Sequence, residues 1–163
     1  MKPAPPVAVE IVVLDAAWLQ TLPRARAIVR RAVRAALAGS GQRLPRAGAQ
    51  VVVALAGDGE LRRLNRAHRN TDKPTNVLSY PADAPRVRGG PLVLGDIALA
   101  RATVLREARA QGKRPADHLV HLVVHGTLHL LGYDHEADTD AECMEALETR
   151  ILADEGIADP YAA

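Results

Sequence analysis

The strongest constraint on the fold is a change of apolar period between Val7 and Leu37. Val7 to Leu14 alternates and is rich in β-branched residues, the pattern of a strand whose side chains point to opposite faces. From Leu22 to Leu37 the spacing becomes helical. At about 100° per residue, Ile28, Val29, Ala32, Val33, Ala36 and Leu37 fall on one arc, and Arg24, Arg26, Arg30, Arg31 and Arg34 fall on the other. Gly39-Ser40-Gly41 ends the helix, because glycine takes the left-handed cap conformation without steric cost.

The rest of the chain continues to mix the two periods. Gln50 to Ala56 reads as a second strand, and Asp58 is placed to cap a helix from about Glu60 to His68, with Leu61 and Leu64 facing inward. A polar break containing Pro74 runs from Asn70 to Thr75, and Asn76 to Tyr80 is a short strand. Pro81 to Pro91 is a loop rich in Pro and Gly, and Leu92 to Leu99 is a strand interrupted by Gly95-Asp96. A helix follows from about Ala100 to Gln111. Pro115 opens the next one in the first-turn position, where its missing N–H does no harm, and that helix runs to about Leu131 and stops at Gly132. A last amphipathic helix spans about Asp138 to Asp154 and is closed by Gly156. Strands and helices alternate without a strict βαβ order, so the expected architecture is α+β, with residues 1–163 as a single domain. The only aromatics are Trp18, Tyr80, Tyr133 and Tyr161, so the core has to be filled with Val, Leu, Ile and Ala.

Bulk properties exclude several classes. Cys143 is the single cysteine, which rules out an intrachain disulfide and a Cys-rich zinc site and fits a reducing compartment. No apolar stretch approaches the roughly 18 residues of a membrane span, so no membrane is expected as partner and the cytoplasm is the expected location. The formal net charge of +2 is mild and says little by itself about nucleic acid.

The chemistry is concentrated late in the chain. Five of the six histidines lie between His118 and His135. His125 and His129 are four apart on the expected helix, so their rings leave one face one turn apart, as two imidazole ligands of a tetrahedral metal require. Gly132 lets the chain turn, and His135 can return as the third ligand. Three nitrogen ligands leave one position open for water, the mark of a catalytic site, and favour zinc among the first-row metals. His121 lies one turn before His125 on the same stripe, where it either packs structurally or supports substrate or ligand; His118 reads as structural at the helix start. Asp134 and Glu136 flank the last ligand, and Asp96 follows Gly95, but none is singled out as a general base.

The spacing His125-x3-His129-x5-His135 is that of the metzincin proteases, which carry a glutamate directly after the first histidine as general base. Here that position is Gly126. The metal site survives the comparison and the protease activity does not. A better match comes from three blocks in order: Leu64-Asn65-Arg66-Ala67-His68-Arg69-Asn70-Thr71-Asp72-Lys73-Pro74-Thr75-Asn76-Val77-Leu78-Ser79-Tyr80-Pro81, then Leu94-Gly95-Asp96-Ile97, then His125 to His135. Over about Val51 to Leu152 the sequence resembles the YbeY family of bacterial endoribonucleases, with His68 and Tyr80 as variants at positions where an aromatic and a Phe are common.

That resemblance implies a zinc-dependent, single-strand-specific endoribonuclease that matures the 3′ end of 16S rRNA and takes part in ribosome quality control. Its implied partners are single-stranded RNA, ribosomal RNA and the small ribosomal subunit. Its implied fold is a small mixed β-sheet flanked by helices, with the three-histidine site on and just after a central helix. Carried over by position, the metal ligands are His125, His129 and His135, and the functionally important arginine is Arg69. A guanidinium there can hold two nonbridging phosphate oxygens in fixed geometry. The arginine arc of the first long helix either guides RNA or is merely a solvated face; Arg62, Arg63 and Arg66 add to the RNA side, and the scarcity of aromatics argues against a base-stacking platform. Two other classes remain open: another zinc hydrolase such as a metallopeptidase, and a non-catalytic ribosome-assembly factor with structural zinc.

Overall fold

The computed structural model describes residues 3–69, 75–83, 87–134 and 137–162, the side chains of His68 and Arg69 excepted. Most of the expected break (70–74), part of the expected loop (84–86), and both His135 and Glu136 therefore lie outside the described residues.

Strand β1 (Val7–Val13) is followed by helices α1 (Ala17–Thr21) and α2 (Ala25–Ser40). Strand β2 (Ala49–Ala56) and helix α3 (Asp58–Arg69) come next, then strands β3 (Val77–Pro81) and β4 (Leu92–Ala100). Helices α4 (Arg101–Ala110), α5 (Pro115–Leu130) and α6 (Asp138–Asp154) complete the order. Among the described residues the strands form one sheet in the order β1-β2-β4-β3, in which β1, β2 and β4 run parallel and β3 pairs antiparallel with β4. This is the expected α+β architecture with a small mixed sheet flanked by helices. No helix among the described residues is long and apolar enough to cross a membrane.

Period-two alternation divides the sheet between two layers. Val51, Val53 and Leu55 of β2 and Ile97 and Leu99 of β4 point into the main core with α2 and α5. Ala56, Leu78, Ala98 and Ala100 point the other way, against Leu61 of α3. Full burial of Leu55, Ile97, Leu99, Leu119 and Leu128 fixes α5 against the sheet, each contributing roughly 1.5–3 kcal/mol of apolar transfer. On α2 the buried residues are Ala25, Val29, Ala32, Val33, Ala36 and Leu37, close to the expected arc, while Arg24, Arg26, Arg31 and Arg34 are exposed.

Three local features differ from the sequence reading. The helix expected from Leu22 starts at Ala25 as α2, and an unexpected short helix, α1, precedes it; Pro23 disfavours helical backbone at the residue before it, and Leu22, between the two helices, sits at φ −130° and ψ 88°. The short α1 buries Trp18 completely, and its Nε1 donates to the Ala56 carbonyl at 2.7 Å. Asp58 does not cap its own helix. Its carboxylate accepts from the Thr103 N–H at 3.1 Å and the Thr103 hydroxyl at 2.8 Å, capping α4 from across the fold, while Glu60 reaches back to the Gly57 N–H at 3.0 Å. The interruption expected in β4 is a bulge: the register with β2 skips Leu94, and Gly95 sits at φ +136° with the Tyr80 carbonyl where a Cβ would stand.

Candidate metal centre

Helix α5 begins with Pro115 in its first turn and ends in a paired-hydrogen-bond cap. There the Tyr133 N–H bonds the Leu128 carbonyl at 3.1 Å and the Gly132 N–H bonds the His129 carbonyl at 3.0 Å. Gly132 takes φ +100°, which is open to glycine and turns the chain sharply just past His129. The helix is pressed onto the sheet at Gly126, where an added Cβ would stand 3.0 Å from Ser79 Oγ and 3.3 Å from Ile97 Cγ2. Ser79 also donates to the Gly126 carbonyl at 3.2 Å. A larger residue at this position, such as the glutamate of a metzincin, would require the side chains of Ser79 and Ile97 to give by a few tenths of an ångström.

His125 and His129 come together as expected. Their Nε2 atoms are 3.1 Å apart, with ring centroids separated by 4.5 Å and planes at 80°. Two nitrogens held about 2.0–2.1 Å from one tetrahedral ion stand about 3.3 Å apart, so the pair is spaced as two ligands of a single metal would be. Both rings line a cleft of about 590 Å³ together with Thr75, Asn76, Ser79 and Asp134. Among the described residues no group of three His, Cys, Asp or Glu side chains converges on a metal position; the expected third ligand, His135, lies outside them. The donor chemistry fits zinc at the cleft: two convergent imidazole nitrogens, one of them backed by a carboxylate.

That carboxylate is Glu148 of α6, which is fully buried. Its Oε1 accepts from His125 Nδ1 at 2.5 Å, and its Oε2 from His121 Nε2 at 3.2 Å and from the Tyr161 hydroxyl. Burial works against the charge, but the hydrogen bonds from His121, His125 and Tyr161 outweigh it and hold the carboxyl at about 2. Burial and the neighbouring carboxylate push the Tyr161 phenol far above its ordinary value. His121 thus faces Glu148 rather than the cleft. His118 is buried with Nε2 2.9 Å from Glu107 Oε1, which also accepts from Asn76 Nδ2 at 2.9 Å. Burial lowers the His118 pKa, against the opposing pull of Glu107.

Neither Glu148 nor Tyr161 is apparent from the histidine pattern. A signal for Glu148 does exist: it shares one buried stripe with Met144, Ile151 and Leu152 at helical spacing, and a carboxylate on such a stripe demands a partner. Asp134 lines the cleft and is exposed. Asp96 stands opposite Val52 and Tyr80 in the sheet and belongs to a second cleft with Glu10 and Asp83. Arg69 is the last residue of α3, which packs on β3, β4 and α4; its side chain is outside the described residues. Positive charge is unevenly spread, with seven arginines and no acidic residue between Asp15 and Asp58.

The fold and site define an α+β protein with a pair of imidazoles at the edge of a polar cleft. Comparison with known proteins gives that class a family. The model of the endoribonuclease YbeY family matches residues 17–156. Proteins described as endoribonuclease YbeY are 52% identical in Azorhizobium caulinodans, over 94% of this chain and 96% of theirs, and 57% identical in Alkalilimnicola ehrlichii, over 89% and 86%. A solution structure from Thermotoga maritima shares the fold, with a TM-score of 0.51 at 23% identity over 95% of this chain and 99% of that one. The chain belongs to the YbeY endoribonuclease family. Its chemistry is therefore phosphodiester cleavage, and its substrate class is RNA.

Proposed function

We propose that this chain, acting as one domain in the cytoplasm, is a zinc-dependent, single-strand-specific endoribonuclease that matures the 3′ end of 16S rRNA and serves ribosome quality control. The observation that carries the metal part is the convergence of His125 Nε2 and His129 Nε2 at 3.1 Å on the edge of the cleft. His135, three residues beyond the Gly132 turn, is the third ligand in this reading. Bound zinc supplies Lewis acidity toward a phosphoryl oxygen or water. The protein's own part is to orient the two imidazoles, to offer the polar lining of Thr75, Asn76 and Ser79 to the RNA backbone, and to bring Arg69 against nonbridging oxygens as charge grows on them.

The support for rRNA and for the small subunit is the family resemblance; the chemistry of the site supports the metal. The competing metallopeptidase reading is disfavoured by Gly126, which stands where that class carries its general base and packs closely on Ser79 and Ile97. A non-catalytic assembly factor with structural zinc predicts that stripping zinc unfolds the chain and that intact protein leaves RNA uncut. The test is a labelled small-subunit rRNA fragment with a 3′ extension, offered single-stranded and annealed to a complement, with and without a chelator. Cleavage of the single strand alone, lost with chelator and restored by zinc while the fold persists, is the expected outcome. Equal cutting of both forms, or cutting that survives chelation, contradicts it.

A further inference from the structure

Glu148 sits directly behind the imidazole pair, in a position where packing alone does not call for a charge. It is fully buried between α5 and α6, on the stripe that also holds Met144, Ile151 and Leu152. An apolar side chain of similar volume fills such a site without the desolvation cost of a carboxylate. Both of its oxygens are engaged, Oε1 by His125 Nδ1 at 2.5 Å and Oε2 by His121 Nε2 at 3.2 Å and the Tyr161 hydroxyl. An ionised carboxylate only accepts, so His125 carries its ring proton on Nδ1 and offers the Nε2 lone pair toward His129. With the opposite tautomer His125 would present an N–H to the cleft instead.

We propose that Glu148 is a positioning residue of the metal centre: it fixes the tautomer and orientation of His125 and so makes Nε2 a standing ligand, while His121 and Tyr161 keep Glu148 from swinging away. This inference rests on the reading of His125 and His129 as zinc ligands. Carboxylates that hold the second ring nitrogen of a ligating histidine also raise its basicity, and their removal costs metal affinity about 10- to 100-fold.

The test uses the full chain. In metal-free wild type, long-range ¹H–¹⁵N correlation of the His125 ring is expected to show the Nδ1-protonated tautomer. Zinc affinity is then measured by competition with a chromophoric chelator in wild type, Glu148→Met and Glu148→Gln, with helix content checked by circular dichroism. Methionine fills the space without an acceptor; glutamine restores an acceptor without the charge. Folded Glu148→Met is expected to bind zinc about 10- to 100-fold more weakly and to mix the His125 tautomers, with Glu148→Gln in between. A carboxylate that serves packing alone leaves zinc affinity unchanged in the folded variants, and that result overturns the proposal. If Glu148→Met does not fold, the wild-type spectrum decides, since an Nε2-protonated His125 overturns the proposal alone. Wild type that binds no zinc overturns the ligand reading and the positioning role with it, whereas tight binding in wild type and Glu148→Met alike overturns only the positioning role.

Discussion

Removing the Asp58 carboxylate should destabilise a helix other than its own. In Asp58→Ala the Thr103 N–H in the first turn of α4 loses a 3.1 Å acceptor and the Thr103 hydroxyl loses a 2.8 Å one. Loss of an N-terminal cap costs typically about 1 kcal/mol, and the hydroxyl bond contributes about another 1 kcal/mol, so the expected loss is about 2 kcal/mol. Urea unfolding followed by circular dichroism measures it directly. For a chain of this size that loss corresponds to a fall of roughly 4–8 °C in Tm. The sharper test is a double-mutant cycle with Thr103→Val, which removes the hydroxyl bond but leaves the backbone one. The double variant then loses little more than Asp58→Ala does, giving a coupling of about 1 kcal/mol. Additive losses would refute the capping of α4 and return Asp58 to the cap of α3.

Other expectations follow from the site and its surroundings. Arg69→Lys should keep the fold and the zinc but lose about 100-fold or more in cleavage rate, since an ammonium cannot hold two phosphate oxygens in fixed geometry; near-normal turnover in that variant removes Arg69 from the mechanism. Reversal of Arg26 and Arg30 to Glu should weaken RNA binding and flatten its salt dependence by about 0.7 in slope for each phosphate no longer neutralised; unchanged binding makes the α2 arc a solvated face. Burial lowers the His118 pKa in the folded state, so the unfolded chain takes up that proton first as pH falls. The stability tied to a neutral His118 is intact above the unfolded value of about 6.5 and is lost below it, down to the folded pKa. His118→Gln should therefore make unfolding free energy fall less between neutral and mildly acidic pH, and an identical pH dependence in the two proteins would contradict that.

The sequence is most legible where the deciding interaction is local. His125 and His129 are a turn apart on one helix, so the convergence of their rings follows from helical geometry alone. The strands of the core are equally plain, because Gln50 to Ala56 and Leu92 to Leu99 carry apolar runs of the kind that parallel strands buried on both faces require. What sequence conceals is set by which elements meet. Nothing local tells Asp58 to cap α4, and nothing in the histidine string announces that α6 will deliver Glu148 to the far side of His125. The short α1 is missed for a related reason: five residues carry too little periodicity to be read, and the helix is held instead by Trp18, whose partner, Ala56, is 38 positions away. Gly126 is an intermediate case. Its identity shows that the protease glutamate is missing, and only the structure shows that the position packs closely against Ser79 and Ile97.

The most direct test of the central claim is cleavage of a labelled single-stranded RNA carrying an rRNA 3′ extension by wild type and by His129→Ala, purified identically. The expected result is cutting by wild type alone, because a contaminating nuclease would appear in both preparations. Equal cutting by the two proteins would contradict a reaction at the imidazole pair.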